Sequence, residues 1–160
     1  MNTLVLFDSQ FGNTQKIAKA ISESFPSTHK VKLLNINEMT NKELKDTNLL
    51  VVGSPTHGGR ATEELQAFFN QLPQNSLKDI KLASFDTRFK EQDLNFALKV
   101  IIKIFGFAAP RINKTLESKG AKSIIEPEGF IVKESEGPLA DGEIERTKEW
   151  VKQILISLEK

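Results

Sequence analysis

Apolar positions along the chain fall into two alternating patterns. Short, nearly uninterrupted runs occur at Leu4 to Phe7, Val31 to Ile36, Leu49 to Gly53 and Ile80 to Phe85. Between them apolar residues recur every three or four positions: Ile17, Ala18, Ile21 and Phe25, then Leu65, Phe68, Phe69 and Leu72, then Leu94, Ala97, Leu98, Ile101, Ile102 and Phe105. The runs predict strands and the spaced sets predict helices. Leu49 to Gly53 has no polar alternation, which places it in the middle of a parallel sheet covered on both faces. Pro110 can open a further helix through Leu116, with Gly120 as its stop. Ser123 to Ile125 and Phe130 to Val132 read as a fifth strand divided by Pro127 and Gly129. Ile144, Thr147, Val151, Ile154, Leu155 and Leu158 define a closing helix, with Trp150 as packing material.

Boundary residues support these assignments. Thr40 and Glu43 stand at capping-box spacing and predict a short helix after the second strand. Pro73 ends the helix opened by Thr62, Glu63 and Glu64, and Gly137-Pro138 and Asp141-Gly142 mark turns. The expected fold is a single α/β domain over residues 1–160, a doubly wound five-stranded parallel sheet in the order 2-1-3-4-5 with helices on both faces. In such a sheet a ligand lies beyond the carboxyl ends of the strands, where the order reverses. The loops after strands one, three and four should therefore converge.

Those loops carry the candidate chemistry. Ser9 to Thr14 joins a strand to a helix start, with the Ser9 and Thr14 hydroxyls, the Asn13 amide and the freedom of Gly12. Backbone N–H groups at a helix N-terminus hold an anion without a formal positive charge, and phosphate is the natural occupant. The alternative is an ordinary turn in which Asn13 or Thr14 caps the helix. The single glycine and the absence of a following lysine exclude the three-glycine dinucleotide loop and the lysine-containing triphosphate loop.

Composition narrows the classes further. With 22 basic and 21 acidic residues the 160-residue chain has a net charge of +1, which recommends neither nucleic acid nor an acidic membrane surface. The absence of cysteine excludes disulfides, thiol catalysis and thiolate metal sites. His29 and His57 have no ligand-like spacing, so no metal site is expected. No basic leader precedes the first strand, and Leu94 to Pro110 is too short and too interrupted by Lys99 and Lys103 to insert into a membrane. A cytoplasmic location is expected.

Ser9, Gly12, Asn13 and Thr14 resemble the first loop of the flavodoxin family, which reads Ser/Thr-x-x-Gly-x-Thr and binds the phosphate of FMN. Ser54, Pro55 and Thr56 match the start of the family's second loop, and Gly58 and Gly59 stand where a peptide turns over beside the flavin ring. His57 takes the place of an aromatic ring cover. The resemblance places the third loop at Asp86, Thr87, Arg88 and Phe89, with Phe89 in place of a tyrosine or equally a core anchor, Thr87 at the pyrimidine edge, and Arg88 near the ring oxygens, against the partner or solvated. It implies that FMN is bound by Ser9, Gln10, Phe11, Gly12, Asn13, Thr14, Pro55, Thr56, His57, Gly58, Gly59, Asp86, Thr87, Arg88 and Phe89.

Phe11 departs from the family's common threonine and looks more like the flavodoxin-like quinone reductases. The implied activity is electron transfer between redox proteins, a reductase and an acceptor enzyme. The alternatives are FMN-dependent oxidation of NAD(P)H by a small quinone-like acceptor and a module of the same fold without flavin. No catalytic acid, base or nucleophile is called for, and a monomer or weak homodimer is expected.

Overall fold

The computed structural model describes residues 1–40 and 42–160. β1 (Asn2–Phe7) leads into α1 (Asn13–Ser24), then β2 (Lys30–Asn35), a 3₁₀ turn (Ile36–Glu38), α2 (Lys42–Lys45), β3 (Leu49–Pro55) and α3 (Glu63–Gln71). β4 (Lys81–Phe89) is followed by a 3₁₀ turn (Glu91–Asp93), α4 (Phe96–Phe105), α5 (Ala108–Glu117), β5 (Lys122–Ser123), β6 (Glu128–Val132) and α6 (Glu143–Leu158). The parallel sheet runs β2-β1-β3-β4-β5, the expected order. The divided fifth strand is real: β5 pairs with Lys81 and Leu82, and β6 pairs in parallel with Phe85 to Phe89 farther along the same strand.

Side chains alternate across the central strands, so each contributes to two cores. Leu4, Leu6, Leu50, Val52 and Leu82 pack with Leu65, Phe69, Ile112 and Leu116 of α3 and α5. Val5, Phe7, Val51, Ala83 and Phe85 pack with Ile17 and Ile21 of α1 and with Trp150, Val151 and Ile154 of α6. Trp150 packs edge-on to Phe85 and Phe130, with ring centroids 6.1 and 6.0 Å away. This double coverage explains why β3 is buried from Leu49 to Ser54.

β4 extends four residues beyond the expected end at Phe85. Asp86, Thr87, Arg88 and Phe89 therefore form a strand, not a loop, because β6 supplies ladder partners as far as Phe89. The polar run is stable inside a sheet because its groups are satisfied: Asp86 by Arg88 and Ala109 N–H, and Thr87 by Thr14.

The predicted cap of α2 is present at Thr40 and Glu43; Asn41 lies outside the described residues. The Thr40 hydroxyl and backbone N–H both donate to Glu43, the latter at 3.0 Å, and hold its carboxyl down to about 2. This lowered value adds stability above the ordinary glutamate range, and the contribution is lost as pH falls through about 2. Thr40→Val is expected to return the Glu43 midpoint towards its ordinary value in a carbon-detected NMR titration. An unchanged midpoint would assign the lowering to another group.

Candidate functional site

The carboxyl ends of β1, β3 and β4 meet at one rim of the sheet. Phe7 pairs with Gly53, Gly53 with Phe85, and Pro55 with Thr87, while Asp8 N–H donates to the Gly53 carbonyl at 3.1 Å. A cavity of about 260 Å³ opens there, bounded by Ser9, Gln10, Phe11, Asn13, Thr14, Pro55, Thr56, His57, Thr87, Arg88 and Phe89, with Val132 and Ser135 added from the β6 side. Most of these side chains are polar.

One end of this polar cavity is the start of α1. Gly12 is the N-cap residue with φ of 87°, a left-handed conformation suited to glycine, and no side chain caps the first turn. Its own N–H donates to Ser9 Oγ at 3.0 Å. Thr14 and Thr87 are buried with their hydroxyls 2.8 Å apart, tying the first loop to β4. Thr87 thus stands beside the helix start. The Asn13 amide donates one N–H to the Glu136 carbonyl at 3.1 Å, fastening the 134–137 turn over α1. Gly137, at φ 106°, makes room for it: a Cβ there would lie 2.6 Å from Asn13 Oδ1.

A second cavity of about 220 Å³ adjoins the first and shares Thr56, His57, Arg88 and Phe89 with it. Its remaining wall is Gly58 with Leu94, Leu98, Ile101, Ile102 and Phe107, almost all apolar. Gly58 and Gly59, at φ 54° and 78°, form a two-residue turn closed by His57 N–H to Arg60 carbonyl at 2.9 Å and Arg60 N–H to His57 carbonyl at 3.0 Å. Gly59 lines neither cavity; it packs under α4, where a Cβ would come within 2.6 Å of the Gly106 carbonyl.

Asp86 and Arg88 hold the wall from behind. Asp86 is buried and lines neither cavity. Its Oδ2 accepts from Arg88 at 2.7 Å and from Ala109 N–H, in the first turn of α5, at 2.8 Å. Burial pushes the carboxyl above the ordinary aspartate value, against the opposing pull of Arg88, Ala109 N–H and Thr56. The Arg88 guanidinium carbon lies 3.7 Å from the centre of the Phe107 ring, and a Cβ on Gly129 would collide with that guanidinium. Arg88 is therefore neither solvated nor a free positive charge. Thr56 joins the same network by accepting from Ala108 N–H at 3.0 Å.

The three sequence segments are thus brought together, except that Gly12, Gly59 and Asp86 support the walls without lining them. Sequence reasoning missed Ser135, Phe107 and the inward face of α4. The apolar excess of Leu94 to Phe107, greater than one packing face needs, was the available signal for the last two.

A pocket lined mostly by polar residues at an uncapped helix start adjoins an apolar pocket at the switch point of a doubly wound parallel sheet, where ligands of such folds lie. The sequence profile of the Flavodoxin family matches residues 5–150, and the chain belongs to that family. A flavodoxin of Aquifex aeolicus is 32% identical over 71 residues, 43% of this chain and 38% of that protein. A flavodoxin of Picosynechococcus is 28% identical over 82 residues, 51% of this chain and 48% of that one, so the chain spans less than half the length of the curated relatives it matches. Among solved structures, oxidised Flavodoxin 2 from Bacillus cereus superposes with TM-score 0.73 at 22% identity, covering 98% of this chain and 99% of that one. A flavodoxin from the domain Archaea gives TM-score 0.73 at 18% identity, with both chains covered in full. At these identities the superpositions speak for the fold. Among the described residues no helix is long and apolar enough to cross a membrane.

Proposed function

We propose that the chain holds FMN across the two joined cavities and carries electrons between a reductase and an acceptor enzyme. The observation that supports this most directly is the division of the site: neither cavity alone suits a ligand with a phosphate, a polyol and a three-ring system, but their junction at Thr56, His57, Arg88 and Phe89 joins a compartment with hydroxyl and amide side chains beside a helix start to one walled by aliphatic side chains. When bound, FMN supplies the one- and two-electron chemistry. The residues supply position and environment. The free N–H groups at the start of α1, with Ser9 and Thr14, would take the phosphate. Leu98, Ile101, Ile102 and Phe107 would exclude water from the ring, with His57 and Phe89 beside it. Asp86 neutralises Arg88, so the wall adds little net positive charge to the ring environment.

A second reading is oxidation of NAD(P)H with a small quinone-like acceptor. It is favoured by Phe11, which is 46% exposed at the mouth of the polar cavity and offers an apolar surface where the family commonly has a hydroxyl. Titration of apoprotein with FMN tests the cofactor: stoichiometric fluorescence quenching and shifted visible bands are expected, and their absence would reject flavin binding. Steady-state assay of the loaded protein with NAD(P)H and a benzoquinone separates the two readings. Slow turnover without an added reductase is expected for the carrier, and rapid turnover would replace it with the oxidoreductase.

A further inference from the structure

Among the described residues, α4 stands apart from the other helices in having no buried residue. Phe96, Val100 and Ile104, at successive i, i+4 positions, form an outward stripe exposed to 84%, 38% and 68%, and Phe105 at its end is 42% exposed. The opposite face, Leu98, Ile101 and Ile102, lines the apolar cavity. The only polar side chains on the helix are Lys99 and Lys103, both exposed and one turn apart on one flank. Exposed Lys90, Glu91 and Asp93 precede the helix and exposed Arg111 follows it, donating to the Phe105 carbonyl. The groove beside α3 carries Asp8, Glu63 and Glu64 together with Arg60, whose guanidinium carbon lies 5.9 Å from the centre of the Phe105 ring at the end of α4.

We propose that α4 is an interfacial helix that docks this protein on a lipid bilayer with anionic headgroups. The stripe offers no hydroxyl, amide or carboxylate and suits a surface that is apolar without direction. Lys99 and Lys103 can extend from the flank to headgroup phosphates while their stems lie along the apolar layer. With a net charge of only +1, the molecule still carries Lys90, Lys99, Lys103 and Arg111 against Glu91 and Asp93 in and around α4, a local excess of positive charge that favours a negative surface. A second copy is the poorer occupant. One stripe on a 10-residue helix buries well under the roughly 1,000 Å² of a specific dimer, and antiparallel packing about Val100 would oppose the lysine flanks. One short stripe and a few cations give reversible attachment. The apolar compartment then lies next to the bilayer, within reach of an acceptor dissolved in lipid.

Co-sedimentation at low salt with vesicles of phosphatidylglycerol mixed into phosphatidylcholine, and of phosphatidylcholine alone, tests this on apoprotein and FMN-loaded protein alike. The result is independent of whether flavin binds. The protein is expected in the pellet with the anionic vesicles, and at least about tenfold more weakly bound to the neutral ones. Lys99→Glu with Lys103→Glu, and separately Phe96→Ser with Ile104→Ser, should each lose binding by at least about tenfold while melting at the wild-type temperature. Protein left in the supernatant with anionic vesicles, or variants that bind as wild type, would overturn the proposal. A dimer in sedimentation velocity that Phe96→Ser with Ile104→Ser dissociates would overturn it in favour of a second copy.

Discussion

Asp86→Ala is expected to lower unfolding free energy by about 3–5 kcal/mol, because it removes one partner of a buried pair and strands the other. Arg88 would keep its place between the Phe107 ring and Gly129, with side-chain exposure of 17%, and could not reach water without breaking that stack. Ala109 N–H in the first turn of α5 would lose its acceptor at the same time. Urea midpoints read the loss, and a decrease of less than about 1 kcal/mol would show that water replaces the carboxylate at little cost. The double variant Asp86→Leu, Arg88→Met removes both charges and should regain the part of the stability lost to the stranded guanidinium, since an apolar pair of similar volume is often no worse than a buried ion pair. The Ala109 N–H stays without an acceptor in it. Asp86→Ala alone should also loosen the hold of α5 on Thr56, weakening FMN, whereas the double variant should retain the fold while losing the polar wall.

The sequence made the strand order and first helix legible because double coverage leaves a simple mark: uninterrupted apolar runs in β1 and β3, with periodic apolar faces on α1 and α3. It was least legible where polar residues are buried by pairing. Asp86, Thr87 and Arg88 look like a loop when read one by one, and become strand only because β6, a distant segment, supplies both ladder and wall. Asn13 likewise reads as an anion ligand at its spacing, but its partner, Glu136, lies 123 positions away. The period of Leu94 to Phe105 made α4 legible as a helix but did not say what its apolar face covers. Its inward side chains instead border a cavity, a distinction that no one-dimensional pattern carries. The convergence of Ser9 to Thr14, Pro55 to His57 and Thr87 to Phe89 followed from topology, since loops at the carboxyl ends of adjacent parallel strands must share a rim.

FMN is expected to bind at least about 100-fold more tightly than riboflavin, because the phosphate alone can use the N–H groups at the start of α1 and each hydrogen bond to a charged group contributes about 1.5–3 kcal/mol. Fluorescence titration of apoprotein with the two flavins checks the ratio, and near-equal affinities would mean that the helix start is not the phosphate site. Thr14→Val tests the same point on the protein side. It removes a hydroxyl at the helix start and leaves Thr87 Oγ1 without its 2.8 Å partner. The orphaned hydroxyl lowers stability for either ligand equally, so it cannot by itself change the ratio. The lost phosphate contact is expected to weaken FMN by about 10- to 100-fold and riboflavin much less, compressing the preference. A preference unchanged in Thr14→Val would place the phosphate on backbone N–H groups and Ser9 alone, with Thr14 serving only to fasten the first loop to β4.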